Sequence, residues 1–443
     1  MPSFTRRESI ELGAGALAAG SLLRGVPAFA QIPTKDVTPP EIEPEEGASL
    51  RVIRPTKFFD ADQVVFDENT RAFVEKTGVE VQVDYESWED LRPKTAVAAS
   101  VGAGADIVLG WYDDAFQYED RVVDLGDVAT YIGDKHGGWW EMAAKYGRTD
   151  DGRWIGMPLG SGGGVSCYRK SWLNEAGFEE LPSDFPGLLR ACQALKKNGH
   201  PSGLALGNAV GDGNTWYWIL WGFGARFVDD DNRVVIDSPE TVEALEFAKE
   251  LYATFIPGTL SWLDPSNNKA FLAGDIGLTH NGISLYYAAT HSEDPAMRAV
   301  GEDMYHARPP VGPIGRPTEI SPVITAFVFD HTGYPNAAKA YLMHMFETEP
   351  YTKWQQACIG YWQPTLKAYD ALSFWTEDPK LTPFRDIAKN MLYVGYSGTL
   401  GQASASVAAD YVMVQMFAAV CSGQMTAKEA AQQAARRAER YYG

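Results

Sequence analysis

The stretch Gly110-Trp111-Tyr112-Asp113-Asp114 follows the apolar run Ile107-Val108-Leu109 and sets two aromatic rings beside two carboxylates. Rings stack on C–H faces and carboxylates accept hydroxyl protons, so the set suits a polyhydroxylated ligand. A packing tryptophan followed by solvated aspartates has the same sequence, because Trp and Tyr are often buried in any case. For acid–base work the pair is badly placed. Adjacent residues on extended backbone point apart, whereas glycoside hydrolysis needs carboxyls facing each other at about 5–10 Å. A distant partner such as Asp212 keeps a periplasmic carbohydrate-active hydrolase open as the alternative. The seven histidines form no H-x-x-x-H or H-E-x-x-H pair, and no G-x-S-x-G elbow occurs, so neither a metal site nor that nucleophile has support. No cofactor is expected.

The run Pro158-Leu159-Gly160-Ser161-Gly162-Gly163-Gly164-Val165 places four glycines within five positions. A phosphate cradle would need Gly-Lys-Ser/Thr, or G-x-G-x-x-G running into a helix. Here Val165 to Tyr168 reads as a strand instead. Two readings remain: a tight turn with glycines at positive φ, or a crossover between two lobes where backbone approaches closely.

These residues need a scaffold. The chain has 443 residues, 45% of them hydrophobic, too many for one ordinary domain. Leu50 to Arg54 reads as a strand, Gln63 to Lys76 as a helix, and Val79, Val81, Val83 and Tyr85 alternate as a strand. Glu89 to Val101 suits a helix, and Asp106 to Leu109 a strand buried on both faces. This β-α-β-α-β order opens a doubly wound α/β domain. After the glycines the pattern restarts. Phe185 to Leu195 carries a helical stripe, Leu204 to Leu206 reads as a short strand, and Ser238-Pro239 opens another helix. Thr426 with Glu429 forms a capping box for a terminal helix.

The formal charge is −20. Phosphate surfaces need clustered Lys and Arg, so nucleic acid is excluded as a partner. The four cysteines are far apart in apolar contexts and read as buried thiols. At the N-terminus, Arg6-Arg7, the apolar run Leu12 to Leu23 and Ala28-Phe29-Ala30 form a three-part export signal over residues 1–30. It resembles a twin-arginine signal, with Ser9 and Glu11 where that pattern prefers Phe and Lys; an ordinary Sec signal shares the layout. Residues 31–48, acidic and proline-rich, read as a disordered leader. No later segment is expected to reach the roughly 18 apolar residues of a membrane span.

The run from Trp154-Ile155-Gly156-Met157-Pro158 through Tyr168-Arg169-Lys170-Ser171-Trp172 to Glu175-Ala176-Gly177 resembles family 1 extracellular solute-binding proteins, the sugar-type receptors of ABC importers. Ala105 to Leu109, Phe271 to Asp275 with Thr279 to Gly282, Gly360 with Pro364-Thr365, and Ser422-Gly423 with Glu429-Ala430 resemble further family motifs in the same order. The resemblance implies a type II periplasmic binding fold. Lobe one would span 49–161 and 325–368, and lobe two 165–322 and 380–443, joined by a multi-crossing hinge. It implies a monomer that binds a sugar or polyol and docks to a permease with its ATPase, or that feeds a chemotaxis or sensor protein. A cationic osmolyte in an aromatic cage also stays open. By the same resemblance Asp212, Asn214 and one of Trp216 and Tyr217 face the ligand. Asn281 and Ser284 occupy the family's aromatic-binding segment, with Tyr286 two residues on. Gly162 falls where the maltose receptors carry a ligand-contacting Glu. Trp88, Trp362 and the loop Tyr396 to Gln402 are further candidates.

Overall fold

The computed structural model describes residues 32–57 and 60–443; the export signal expected over residues 1–30 lies outside the described residues. The described residues form eight strands: β1 (Ser49–Pro55), β2 (Glu80–Glu86), β3 (Ile107–Trp111), β4 (Met157–Ser161), β5 (Val165–Arg169), β6 (Leu278–Asn281), β7 (Met304–Ala307) and β8 (Val323–Val328). The β-α-β-α-β reading of the first hundred residues holds. β1 pairs in parallel with both β2 and β3, through crossover helices Asp60–Thr77 and Leu91–Val101. All of β3 is buried, as a strand covered on both faces must be. β8 returns antiparallel beside β3, with β4 outside it, in the order β2-β1-β3-β8-β4.

The second sheet has β5 at its centre, antiparallel to β6 and β7. Its helices start where the sequence places caps. Ser238 accepts the Thr241 N–H at the head of Pro239–Tyr252, and Thr426 with Glu429 closes both halves of the box ahead of Ala427–Tyr442. Helices Val412–Cys421 and Ala427–Tyr442 pack on Pro239–Tyr252. Leu204 to Leu206 is buried but forms no strand; the Leu206 N–H goes to the Thr259 carbonyl instead. The stretch Gln402–Cys421 does reach spanning length, with mean hydropathy 1.4. Tyr411 breaks it at φ 55, and most of it is buried inside the protein, its first half packing on both helix Asp114–Gln117 and helix Ala427–Tyr442. Its apolarity belongs to a core.

Composition misjudges residues 32–48. They run along the first lobe with Ile32 buried and the Lys35 N–H on the Lys135 carbonyl at 2.8 Å. The Glu45 carboxylate accepts the N–H groups of Asn336 and Ala337 at 2.9 and 3.0 Å. These open helix Pro335–Phe346, where unsatisfied N–H groups attract an anion.

The chain crosses from the first sheet to the second through Gly162–Gly164 and returns between β7 and β8. Gly160, Gly162, Gly163 and Gly164 all keep negative φ, which corrects the turn reading. At Gly160, Gly163 and Gly164 nothing larger fits without a shift of the neighbours. A Cβ would lie 2.7 Å from the Trp362 Cβ at Gly160, 2.3 Å from Ile387 Cγ2 at Gly163 and 2.5 Å from His280 Nε2 at Gly164. Helix Ile387–Asn390, expected in lobe two, packs on Glu141–Lys145 of the first.

Candidate ligand-binding cleft

A cavity of about 620 Å³, counting solvent at its mouth, lies between the two sheets at the C-terminal end of β3. Its position is the crevice that open α/β sheets use for ligands. Trp111 and Tyr112 enter it from β3, and Trp88 from the segment after β2. Tyr112 sits at φ 42, a backbone state that persists only where its surroundings enforce it. Its hydroxyl donates to the Gly211 carbonyl of the other lobe at 3.3 Å.

The first-lobe wall is aromatic. The Trp88 and Trp111 rings are 3.9 Å apart, and Trp362 lies 5.7 Å behind Trp111. Trp111 is 2% exposed and its Nε1 has no acceptor among the described residues. Asp114 holds the strand end: Oδ2 accepts the Trp111 N–H at 2.8 Å and Oδ1 accepts Arg92 Nε at 2.7 Å. Asp113 is buried outside the cavity, and neither oxygen has a donor among the described residues. Burial lifts its pKa to about 7; Arg92 opposes and the charge of Asp114 adds.

The second-lobe wall is acidic and polar. Asp264 accepts three successive backbone N–H groups, from Val210, Gly211 and Asp212, at 3.1, 2.9 and 2.7 Å. This clamp presents Asp212 to the cavity. Burial, then the neighbouring charge of Asp264, pushes the Asp212 carboxyl well above its usual range. His280 on β6 lies over Trp218 with ring centres 5.6 Å apart. Burial lowers its pKa to about 3, so the ring is neutral. The Asn281 amide is held by Asn268, and both line the cavity with Ser284.

Of the residues singled out in the sequence, Trp88, Trp111, Tyr112, Gly162, Asp212, Asn281 and Ser284 line this cavity. Seven lie elsewhere. Asp113 and Asp114 turn inward. Asn214 donates to the Val210 carbonyl at 2.8 Å. Trp216 is in the core, its Nε1 on the Ala205 carbonyl at 2.7 Å and its ring against Phe417; Tyr217 is buried against Trp221. Tyr286 donates to Asp378 at 2.7 Å. Trp362 packs behind Gly160 and Gly162, and its neighbour Tyr361 lines the cavity. Positive φ at Ile359 and Gly360 turns the chain just before that pair. Asp264 carried no sequence signal, and His280 only its place inside the Thr279 to Gly282 motif, because tertiary structure alone brings them to Asp212.

Residues 70–383 match the family described as bacterial extracellular solute-binding protein, and the chain belongs to that family. That description makes its members extracellular binders of solutes. The chain is 23% identical over 282 residues to the putative ABC transporter periplasmic-binding protein YcjN of Escherichia coli K12, covering 62% of this chain and 63% of YcjN. It thus spans under two thirds of that relative's length. Among solved structures, an ABC transporter solute-binding protein of Thermotoga lettingae bound with α-D-tagatose aligns over 89% of this chain and 100% of its own, with TM-score 0.76 and 16% identity. One from Agrobacterium radiobacter in complex with ribitol aligns over 90% and 100%, with TM-score 0.71 and 18% identity. At such identities the likeness is one of fold.

Proposed function

We propose that this chain is the substrate-binding receptor of an ABC importer, exported to the periplasm by the twin-arginine route. As a monomer it holds one small sugar or polyol between its lobes and delivers it to the permease and ATPase. Lobe one takes residues 49–161 and 325–368, and lobe two 165–322 and 380–443 apart from helix Ile387–Asn390, which packs on lobe one. The observation that carries this is the cavity itself. An aromatic wall from the end of β3 faces an acidic wall from the other lobe, and Tyr112 reaches across to Gly211. A ligand touching both walls binds the closed form better than the open one, which is what couples binding to closure. The tagatose and ribitol complexes of the two fold relatives favour a ligand of that size.

Binding without turnover fits the same geometry. Asp212 and Asp264 share one wall, and Asp113 and Asp114 lie outside the cavity. Two carboxyls on opposite faces of a glycosidic bond, as hydrolysis requires, are not assembled among the described residues. Calorimetric titration of the mature chain against monosaccharides, disaccharides and polyols tests the reading. Saturable one-to-one binding without product is the expected result. Release of product from a glycoside by the pure protein overturns it.

A further inference from the structure

The cavity contains two carboxylates, Asp212 and Asp264, while neither Lys nor Arg lines it among the described residues. The cation on the first-lobe side, Arg92, is committed to Asp114 at 2.7 Å. Asp264 is satisfied by three backbone N–H groups, but Asp212 Oδ2 has no hydrogen-bond partner among the described residues. A neutral polyhydroxylated ligand is usually met by donors and acceptors together. Here one wall sets two carboxyl groups among Asn268, Asn281 and Ser284, and the facing one carries aromatic rings, from Trp88, Trp111, Tyr112 and Tyr361. Carboxylate plus aromatic faces is the chemistry that selects an ammonium group. Two further atoms lack partners among the described residues, His280 Nδ1 and Trp111 Nε1, on side chains 6% and 2% exposed. They suit a hydroxyl on the same ligand.

Resting on the receptor reading above, we propose that the solute carries a positive charge: a small hydroxylated amine or quaternary ammonium compound, such as an amino sugar, an amino polyol or an amino alcohol. Its cationic nitrogen sits at Asp212 against the aromatic wall, and its hydroxyl groups reach His280 and Trp111.

The proton balance makes this testable. The titratable groups around Asp212 are Asp264, His280, Tyr112, Tyr361 and Cys167. His280 is neutral and both tyrosines and the thiol are held protonated by burial. Burial, then the charge of Asp264, pushes the Asp212 carboxyl well above its usual range and favours its protonated form. An ammonium ion beside it favours the carboxylate instead, so a proton held on Asp212 passes to the buffer as the ion pair forms. A neutral ligand forms no such pair.

The experiment uses matched pairs on the mature chain: glucosamine against glucose, 1-amino-1-deoxysorbitol against sorbitol, and choline against 3,3-dimethylbutanol. In at least one pair the cation is expected to bind about tenfold tighter or more, the scale of a desolvated cation–aromatic contact. Titrations in buffers of different ionisation heat should show more proton release for the cation than for its neutral mate. Asp212→Asn should bring the two members of that pair to within about threefold of each other. If that variant does not fold, the paired affinities on the wild type still decide. Equal or tighter binding of the neutral member in every pair overturns this inference while leaving the receptor reading intact. No saturable binding by any of these or by the wider sugar and polyol panel overturns both.

Discussion

The hydroxyl of Tyr112 donates to the backbone carbonyl of Gly211 at 3.3 Å, joining the end of β3 in one lobe to the Asp212 loop of the other. The donor residue sits in a left-handed backbone state, so the fold spends conformational energy to aim that ring across the cleft. Tyr112→Phe keeps the ring and removes the bridge. A net hydrogen bond contributes about 0.5–1.5 kcal/mol, so solute affinity should fall about two- to tenfold while the melting temperature stays near wild type. Calorimetry and a melting curve on one preparation check both.

Trp111 and Trp216 are both nearly inaccessible, yet they should behave differently. Changing either to Ala should cost about 3–5 kcal/mol of stability. Trp216 lies in the core, so Trp216→Ala should leave affinity per folded molecule unchanged. Trp111 also lines the cavity, so Trp111→Ala should lower both. Equal affinities for the two variants would remove Trp111 from the site.

The crossover glycines make a packing prediction. A Cβ at Gly163 meets Ile387 Cγ2 at 2.3 Å and Cδ1 at 2.9 Å, whereas one at Gly333 meets nothing within 4 Å. Gly163→Ala should therefore destabilise by about 1–3 kcal/mol through overpacking, and Gly333→Ala should be close to neutral. Chemical denaturation of the two variants side by side measures the difference.

Asp113 predicts a pH effect. Its folded pKa, about 7, lies above the roughly 3.9 of an unfolded aspartate. Between these values the folded state binds more protons, so stability falls as pH rises. The contribution is fully present below about pH 4 and lost as pH passes about 7. Its surroundings come from both lobes: Arg92, Asp114, Tyr112 and Tyr146 from the first, Tyr217 and Tyr442 from the second. Asp212 and Asp264 shift in the same direction, so the test is the difference between wild type and Asp113→Asn. The variant should show a shallower decline in melting temperature from pH 4 to pH 8; parallel profiles would contradict the assignment.

Local chemistry was legible and tertiary convergence was not. The capping box at Thr426 reads correctly because both partners lie within one turn. β3 reads correctly because a doubly covered strand is apolar throughout. The glycine run was placed correctly as a crossover but for an incomplete reason. Close packing by Trp362, Ile387 and His280, all distant in sequence, leaves no local trace. Trp216 misled because helix Trp216–Gly222 is buried on every face, so helical spacing cannot say which ring meets the cleft. Asp264 reaches Asp212 through backbone N–H groups 52 to 54 residues away, a contact with no periodicity to betray it.

The central claim is that solute binds between the lobes and holds them together. Small-angle scattering of the mature wild-type chain, with and without a saturating solute identified by calorimetry, tests this most directly. The radius of gyration should contract on binding, because rotation at the crossovers near Gly162–Gly164 brings Tyr112 and Gly211 together. An unchanged radius at saturation would contradict the account.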